Sequence, residues 1–305
     1  MLKDLEKFPP FGIHFERYYK IRRVALKAVT LDKEYLAHQE FWSFLKARAF
    51  KGDELSVTRK DLQDYAAKQF KNKAIKSNTA RNKIYVLKHF YNEAVLQGWV
   101  LSSSWAGITL PKVEQNPIEV LTVKQMKQLL EAPDLNTTKG IRDRTIFELM
   151  YSSALRVGDL ISLTADQFSG DYRTLRLKGK GDKESVLPVG KVAAHFMKFY
   201  TEQIYPKTNT KGHSELFVSL RSGQHMSKNV LYQLIGSYGK QLFQGRYLGT
   251  HVFRYSICTH LADEGVDIRL IQEFMRHGKP STTMRYVHQS YQKLQQVFND
   301  THPRS

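Results

Sequence analysis

His251, Arg254, His277 and Tyr286 fall within 36 positions near the end of a 305-residue chain. Phosphoryl transfer passes through a crowded phosphorus with extra negative charge on its equatorial oxygens. It therefore needs fixed cations, and the planar fork of arginine fits two oxygens at once. Arg254 supplies one such fork, and an upstream Arg156 is a second candidate. A tyrosine, with a pKa near 10, attacks at neutral pH only if a neighbour takes its proton or stabilises the phenolate. The departing oxygen needs a proton in return, and His251, His277 and a lysine are the available carriers. Taken singly, each residue has a bland reading: a helix-end histidine, a salt-bridge arginine, an amphipathic tyrosine. The four together do not fit that reading.

The elements that must hold them follow from spacing and punctuation. Thr250 stands where a cap would open a helix, and the i,i+3 spacing of His251 and Arg254 puts both on one face. Phe253, Ile257 and Leu261 form the expected buried stripe beside them, and Gly265 the stop. Asp267 is placed to cap a second helix through Leu270, Ile271, Phe274 and Met275 to His277, with Gly278 in the left-handed C-terminal position. After Pro280, Ser281 would cap a last helix carrying Tyr286 in its first turns.

Upstream, helices are expected over 122–131, 141–152 and 157–163. The period then changes: Leu175 and Leu177 alternate with Arg176 and Lys178, Gly179-Lys-Gly-Asp turns, and 186–189 returns, which predicts a β-hairpin. Residues 216–219 are a candidate further strand. Before all of this, 31–50, a segment opened by Ser56, Thr58 and Asp61, and a segment from Asn78-Thr79 to Gly98 read as helices. Leu36, Phe41, Phe44 and Leu45 lie on the first, Leu62, Tyr65, Ala66 and Phe70 on the second, and Ile84, Leu87, Phe90, Tyr91, Ala94 and Val95 on the third. Trp42 is expected in that core. The prediction is a mainly α protein with a small β-sheet (α+β): a helical domain over 1–113, a Pro-marked linker over 114–120 and a second domain over 121–305.

The formal charge is +18, and both halves share it: 21 Lys+Arg against 12 Asp+Glu up to Pro117, and 26 against 17 beyond. Such a surface attracts a polyanion and releases condensed counterions on binding, which points to nucleic acid. Lys68, Lys71, Lys73, Lys76, Arg81, Lys83 and Lys88 run without an intervening acid. By itself such a run is often only a solvated face. The single cysteine, Cys258, excludes an internal disulfide and a Cys-based zinc site, fits a reducing cytoplasm, and is expected in the core. The opening residues, with acids and the pair Pro9-Pro10, do not resemble a signal peptide, and no apolar run is long enough to span a membrane. A cytoplasmic protein with no metal and no cofactor is expected. There is no His-Glu-x-x-His spacing, and Gly179-Lys-Gly lacks the rest of a phosphate-binding loop.

The segments Ala154-Leu-Arg-Val-Gly-Asp-Leu-Ile-Ser-Leu163, Lys178-Gly-Lys-Gly-Asp-Lys-Glu184, Thr250-His-Val-Phe-Arg-Tyr255 and His277-Gly-Lys-Pro-Ser-Thr-Thr-Met-Arg-Tyr286 resemble those of the tyrosine recombinases of the phage integrase family. The likeness spans most of the second domain and extends more weakly to the first through 77–99. The resemblance implies that Arg156 and Arg254 clamp the phosphate and that Tyr286 is the nucleophile. It implies that Lys180 protonates the leaving 5′-hydroxyl, that His251 assists proton removal, that His277 hydrogen-bonds the scissile phosphate and that Asp159 supports the first arginine. Three positions depart from the common pattern: Asp159 where Glu is usual, Tyr255 after Arg254 where histidine is frequent, and Arg276 before His277 where glycine is frequent. Arg276 adds a cation, either a phosphate contact or a surface residue.

A C-shaped clamp is implied, with Lys71, Lys73, Lys76, Arg81, Lys83 and Arg276 as candidate DNA contacts. Also implied are a 3′-phosphotyrosyl intermediate, a Holliday junction, and a homotetramer, or a heterotetramer with a related recombinase, on double-stranded DNA with paired inverted sites. Tyr291, Leu294, Val297 and Phe298 have helical spacing suited to a neighbouring protomer or to their own core. The rival readings are a type IB topoisomerase, which shares the nucleophile and cations, and a non-catalytic DNA-binding regulator that has kept the fold.

Overall fold

The computed structural model describes residues 13–26, 28–111, 119–178, 184–220 and 222–276. The chain divides into two compact units, Met1–Asn116 and Pro117–Ser305. Most of the expected linker lies outside the described residues.

The first unit contains α1 (Ile13–Ala25), α2 (Ala28–Lys46), α3 (Arg59–Lys71) and α4 (Ser77–Leu96). Thr58 caps α3 in a reciprocal box with Asp61, as the sequence predicts. α4 stops at Gly98, whose φ of +67° is a backbone state glycine adopts without strain. Phe41, Leu45, Leu62, Tyr65, Ile84, Leu87, Phe90 and Tyr91 form one core, with Trp42 packed against it. Leu36 is a correction: it is 55% exposed, on the outer side of α2.

α1 has no counterpart among the helices expected from the sequence. Its Phe15, Tyr18 and Tyr19 are buried in the same core, at i, i+3 and i+4. Their partners are polar in composition: Tyr19 Oη lies 2.6 Å from His38 Nδ1, which also lies 3.1 Å from the Glu34 carbonyl. Burial without a compensating anion pulls the His38 pKa down to about 3, so this histidine is a neutral core residue.

The second unit is built round α6 (Thr138–Ser152), which packs against α5 (Val123–Glu131), α8 (Lys191–Phe199) and α11 (His251–Asp263). α6 is buried on nearly every side, charges included. Asp143, wholly buried, accepts from Arg142 at 2.8 Å, from Lys139 at 2.7 Å and from Tyr238 Oη at 3.3 Å. A buried carboxylate is tolerable only when satisfied in this way. At Gly140 an added Cβ would stand 1.9 Å from the Asp134 carbonyl oxygen, so only glycine permits this entry to α6.

β1 (Thr174–Lys178) and β2 (Glu184–Pro188) form an antiparallel pair with Leu175 opposite Leu187. Their inward leucines join the core, and β2 begins two residues before the predicted start. No ladder forms at 216–219. Glu215 and Val218 each make a single isolated bridge, to Thr164 and His225. The remaining elements among the described residues are α7 (Val157–Ile161), a 3-10 turn at Ala165–Gln167, a π turn at Tyr200–Ile204, α9 (Tyr205–Thr208), α10 (Lys228–Leu242) and α12 (Ile268–Phe274). The fold is mostly helical with a small two-stranded sheet, as expected. Among the described residues no helix is long and apolar enough to cross a membrane.

Candidate active site

Arg156 and Arg254 come from distant parts of the chain and meet at one backbone oxygen. Arg156 is the N-cap of α7, and Arg254 lies one turn into α11. Arg254 Nη2 donates to the Met275 carbonyl and Nη1 to the Ala154 carbonyl. Arg156 Nη2 donates to the same Met275 carbonyl at 3.2 Å and to the Arg276 carbonyl at 2.9 Å. The Met275 and Arg276 carbonyls lie at and just beyond the C-terminal end of α12, where the helix dipole is negative, so two cations there are favourably placed. Arg254 is 2% exposed and is one of the largest fully buried side chains. A guanidinium is weakly hydrated and planar, which suits it to burial against carbonyls better than an ammonium.

α11 is held in register by contacts that sequence reasoning missed. Ser256 Oγ accepts from the Leu121 N–H at 2.9 Å, and His260 Nε2 lies 2.9 Å from the Leu121 carbonyl. A carbonyl only accepts, so His260 carries its proton on Nε2. Its Nδ1 is then free to accept from Tyr151 Oη at 2.8 Å. Cys258 is buried, as expected, and burial pushes its thiol up to about 12, which leaves it inert.

His251 is the first residue of α11. The expected Thr250 cap is not made: its backbone is already helical at φ −61° and its side chain makes no capping bond. The His251 ring stacks on Tyr255, with centroids 5.4 Å apart and planes at 20°. Its pKa is lowered, first by desolvation and then by the charges of Arg254 and Arg156. By surface area the residue is still exposed. The stacked Tyr255 ring covers one face of the imidazole, and the charges of the two arginines add to the effect.

A histidine lowered in this way stays neutral through neutral pH. The unfolded chain then binds the proton more tightly, so the stability carried by neutral His251 is complete above about pH 6.5 and declines as the pH falls below it. If neutral His251 takes a proton during cleavage, the single-turnover rate should hold level from pH 8 to below the ordinary imidazole value and then fall. A His251→Gln protein should lack that acid limb, which rate measurements across pH will show.

α12 ends earlier than expected. Arg276 takes a left-handed backbone, at φ +49°, and Gly278, where that state was expected, lies outside the described residues. Asp267 does cap α12, accepting from the Arg269 N–H at 2.6 Å, but Leu270 is 60% exposed where a core position was expected. Arg276 is not a surface residue: its side chain is 10% exposed, and Nη2 donates to Asp159 Oδ2. Asp159 Oδ2 also accepts the Arg156 N–H at 3.3 Å, so its support of Arg156 runs through the backbone. Lys180, His277 and Tyr286 lie outside the described residues.

Of the basic run in the first unit, Lys71, Lys73 and Lys76 are exposed. Lys83 is ion-paired with Glu40 at 2.6 Å, and Arg81 donates to the Pro111 carbonyl.

The phage integrase family model matches residues 119–293. The tyrosine recombinase XerD of Staphylococcus aureus is 32% identical over 222 residues, covering 73% of this chain and 75% of its own length. XerD of Staphylococcus haemolyticus is 33% identical over 226 residues, with the same shares. Among solved structures, the XerH site-specific recombinase bound to a palindromic difH substrate, in a post-cleavage complex, has a TM-score of 0.73 at 19% identity, covering 92% of this chain and 82% of that one. A lambda integrase dimer bound to a core site has a TM-score of 0.66 at 16% identity, covering 90% and 93%. The chain belongs to the phage integrase family of tyrosine recombinases.

Proposed function

We propose that this chain, a site-specific DNA recombinase, exchanges strands through Tyr286 at the centre built by Arg156, Arg254 and His251. The observation that supports this most is the convergence of the two arginines on the Met275 carbonyl, with His251 near enough for both charges to lower its pKa. Two fixed guanidinium groups suit a phosphorus whose oxygens gain charge as it is attacked. In the proposed step the Tyr286 oxygen bonds to phosphorus, the bond to the 5′-oxygen breaks, and His251 receives the phenolic proton. Lys180 protonates the departing 5′-oxygen, and His277 donates to the scissile phosphate. A 5′-hydroxyl from the partner strand then attacks the phosphotyrosine and frees Tyr286. The phosphodiester bond energy is kept in the covalent link, so the cycle balances without ATP or metal.

The exposed Lys71, Lys73 and Lys76 fit a phosphate-facing role in the first unit, with release of counterions as the driving term. Paired inverted sites and four protomers on DNA complete the proposal. DNA recovered by cross-linking to the protein should contain two inverted half-sites, and incubation of two such duplexes should yield four-way junctions. Relaxation of supercoiled DNA by a monomer, without junctions, would instead select the topoisomerase reading.

A further inference from the structure

Four hydrogen bonds close a circuit around Arg156. Its backbone N–H and the Arg276 guanidinium both donate to Asp159 Oδ2, while its own guanidinium returns to the Arg276 and Met275 carbonyls. One carboxylate oxygen thus joins the start of α7 to the end of α12. Arg276 is an unlikely residue for this place on local grounds, because a left-handed backbone is strained for any side chain larger than that of glycine. Its Nε is also buried without a hydrogen-bond partner among the described residues. Two local costs at one residue persist only where the surroundings over-determine it, and the ion pair with Asp159 is the contact that does so.

We propose that Asp159 and Arg276 form a positioning latch: the pair fixes the carbonyl platform on which Arg156 and Arg254 rest, and Arg276 makes no contact with DNA. The proposal rests on the active-site reading above. Being one methylene shorter than glutamate, Asp159 reaches the Arg156 N–H only at 3.3 Å. The charge-assisted bond from Arg276 supplies the second tether. Opening the latch would let both guanidinium groups drift from the phosphate. It would leave the affinity for DNA, set by many other cations, as it was.

The test compares wild type, Arg276→Gln, Asp159→Asn, the double variant and Arg276→Lys on a nicked duplex carrying the cross-linked site. Each single variant should slow single-turnover covalent capture by about 10- to 100-fold, the scale of a small misplacement at a reacting centre. The dissociation constant and its salt dependence should not change. The double variant should be no slower than the slower single, and Arg276→Lys should recover part of the rate. A phosphate contact would instead weaken binding and lower the salt slope of Arg276→Gln by about one. That result, or losses that multiply in the double variant, would overturn the latch. If wild type itself captures no DNA, the active-site reading fails separately. Thermal unfolding of the same proteins then decides the latch, since additive destabilisation at 159 and 276 would rule it out.

Discussion

Arg254→Ala is expected to lose about a thousandfold or more in single-turnover cleavage, on the scale of removing a cation that stabilises a phosphoryl transition state. It should also lose about 2–5 kcal/mol of stability, because a buried side chain is truncated and two carbonyls each lose one donor, although Arg156 still donates to one of them. Those carbonyls belong to Ala154 and Met275, and Arg254 itself is almost wholly buried. The two losses have different causes and can be separated. Arg254→Met restores most of the volume and removes the desolvation cost of a buried charge, which offsets part of the penalty for the lost hydrogen bonds. It should unfold at a temperature nearer to wild type while remaining as inactive as the alanine variant. Melting curves and capture rates on the same samples check this. An active Arg254→Met would mean that the residue serves packing alone.

The contrast reflects how the site is built. A guanidinium held against backbone oxygens in a dry interior is costly to fold but costs no reorganisation when the phosphate arrives. The neighbouring Ala154 makes the same point. It adopts φ +47° and presents its carbonyl to Arg254, while its Cβ packs against Cys258, Ile271 and Met275. Strain at that residue is offset by the packing of the small core around it.

Much of this was legible in the sequence. The caps at Thr58 and Asp267 have side-chain oxygens beside a first turn, a local signal that tertiary packing did not override. The hairpin was legible because Leu175 and Leu177 alternate against charged neighbours. α1 does not stand out because its buried face is made of Phe15, Tyr18 and Tyr19 among six charged or histidine side chains, so the stripe is hidden on hydropathy.

At the site, residue types and spacing named Arg156, His251 and Arg254, and the fold places them together. What sequence could not show is the platform between them. Backbone carbonyls of Met275 and Arg276 have no residue-type signature, and neither does the grip of Ser256 and His260 on Leu121. Arg276 stood out as an extra cation. Its pairing with Asp159 depends on where α12 stops, and that end was expected two residues later, at Gly278.

Tyr286 carries the central claim. A phenol with an ordinary pKa near 10 is a poor nucleophile in water. In the proposed site, two fixed guanidinium groups would stabilise its phenolate and polarise the phosphate it attacks. Phenylalanine keeps the ring and its packing but has no oxygen to bond to phosphorus, so Tyr286→Phe should bind the site as wild type does and form no covalent product. The most direct measurement is therefore capture on a nicked duplex, from which the short leaving strand diffuses away and cannot reseal the link. Wild type should accumulate a protein joined to the 3′-phosphate through Tyr286, with a free 5′-hydroxyl on the released strand, and Tyr286→Phe should accumulate none. No adduct with wild type on its own site, or an adduct that survives in Tyr286→Phe, would contradict the account.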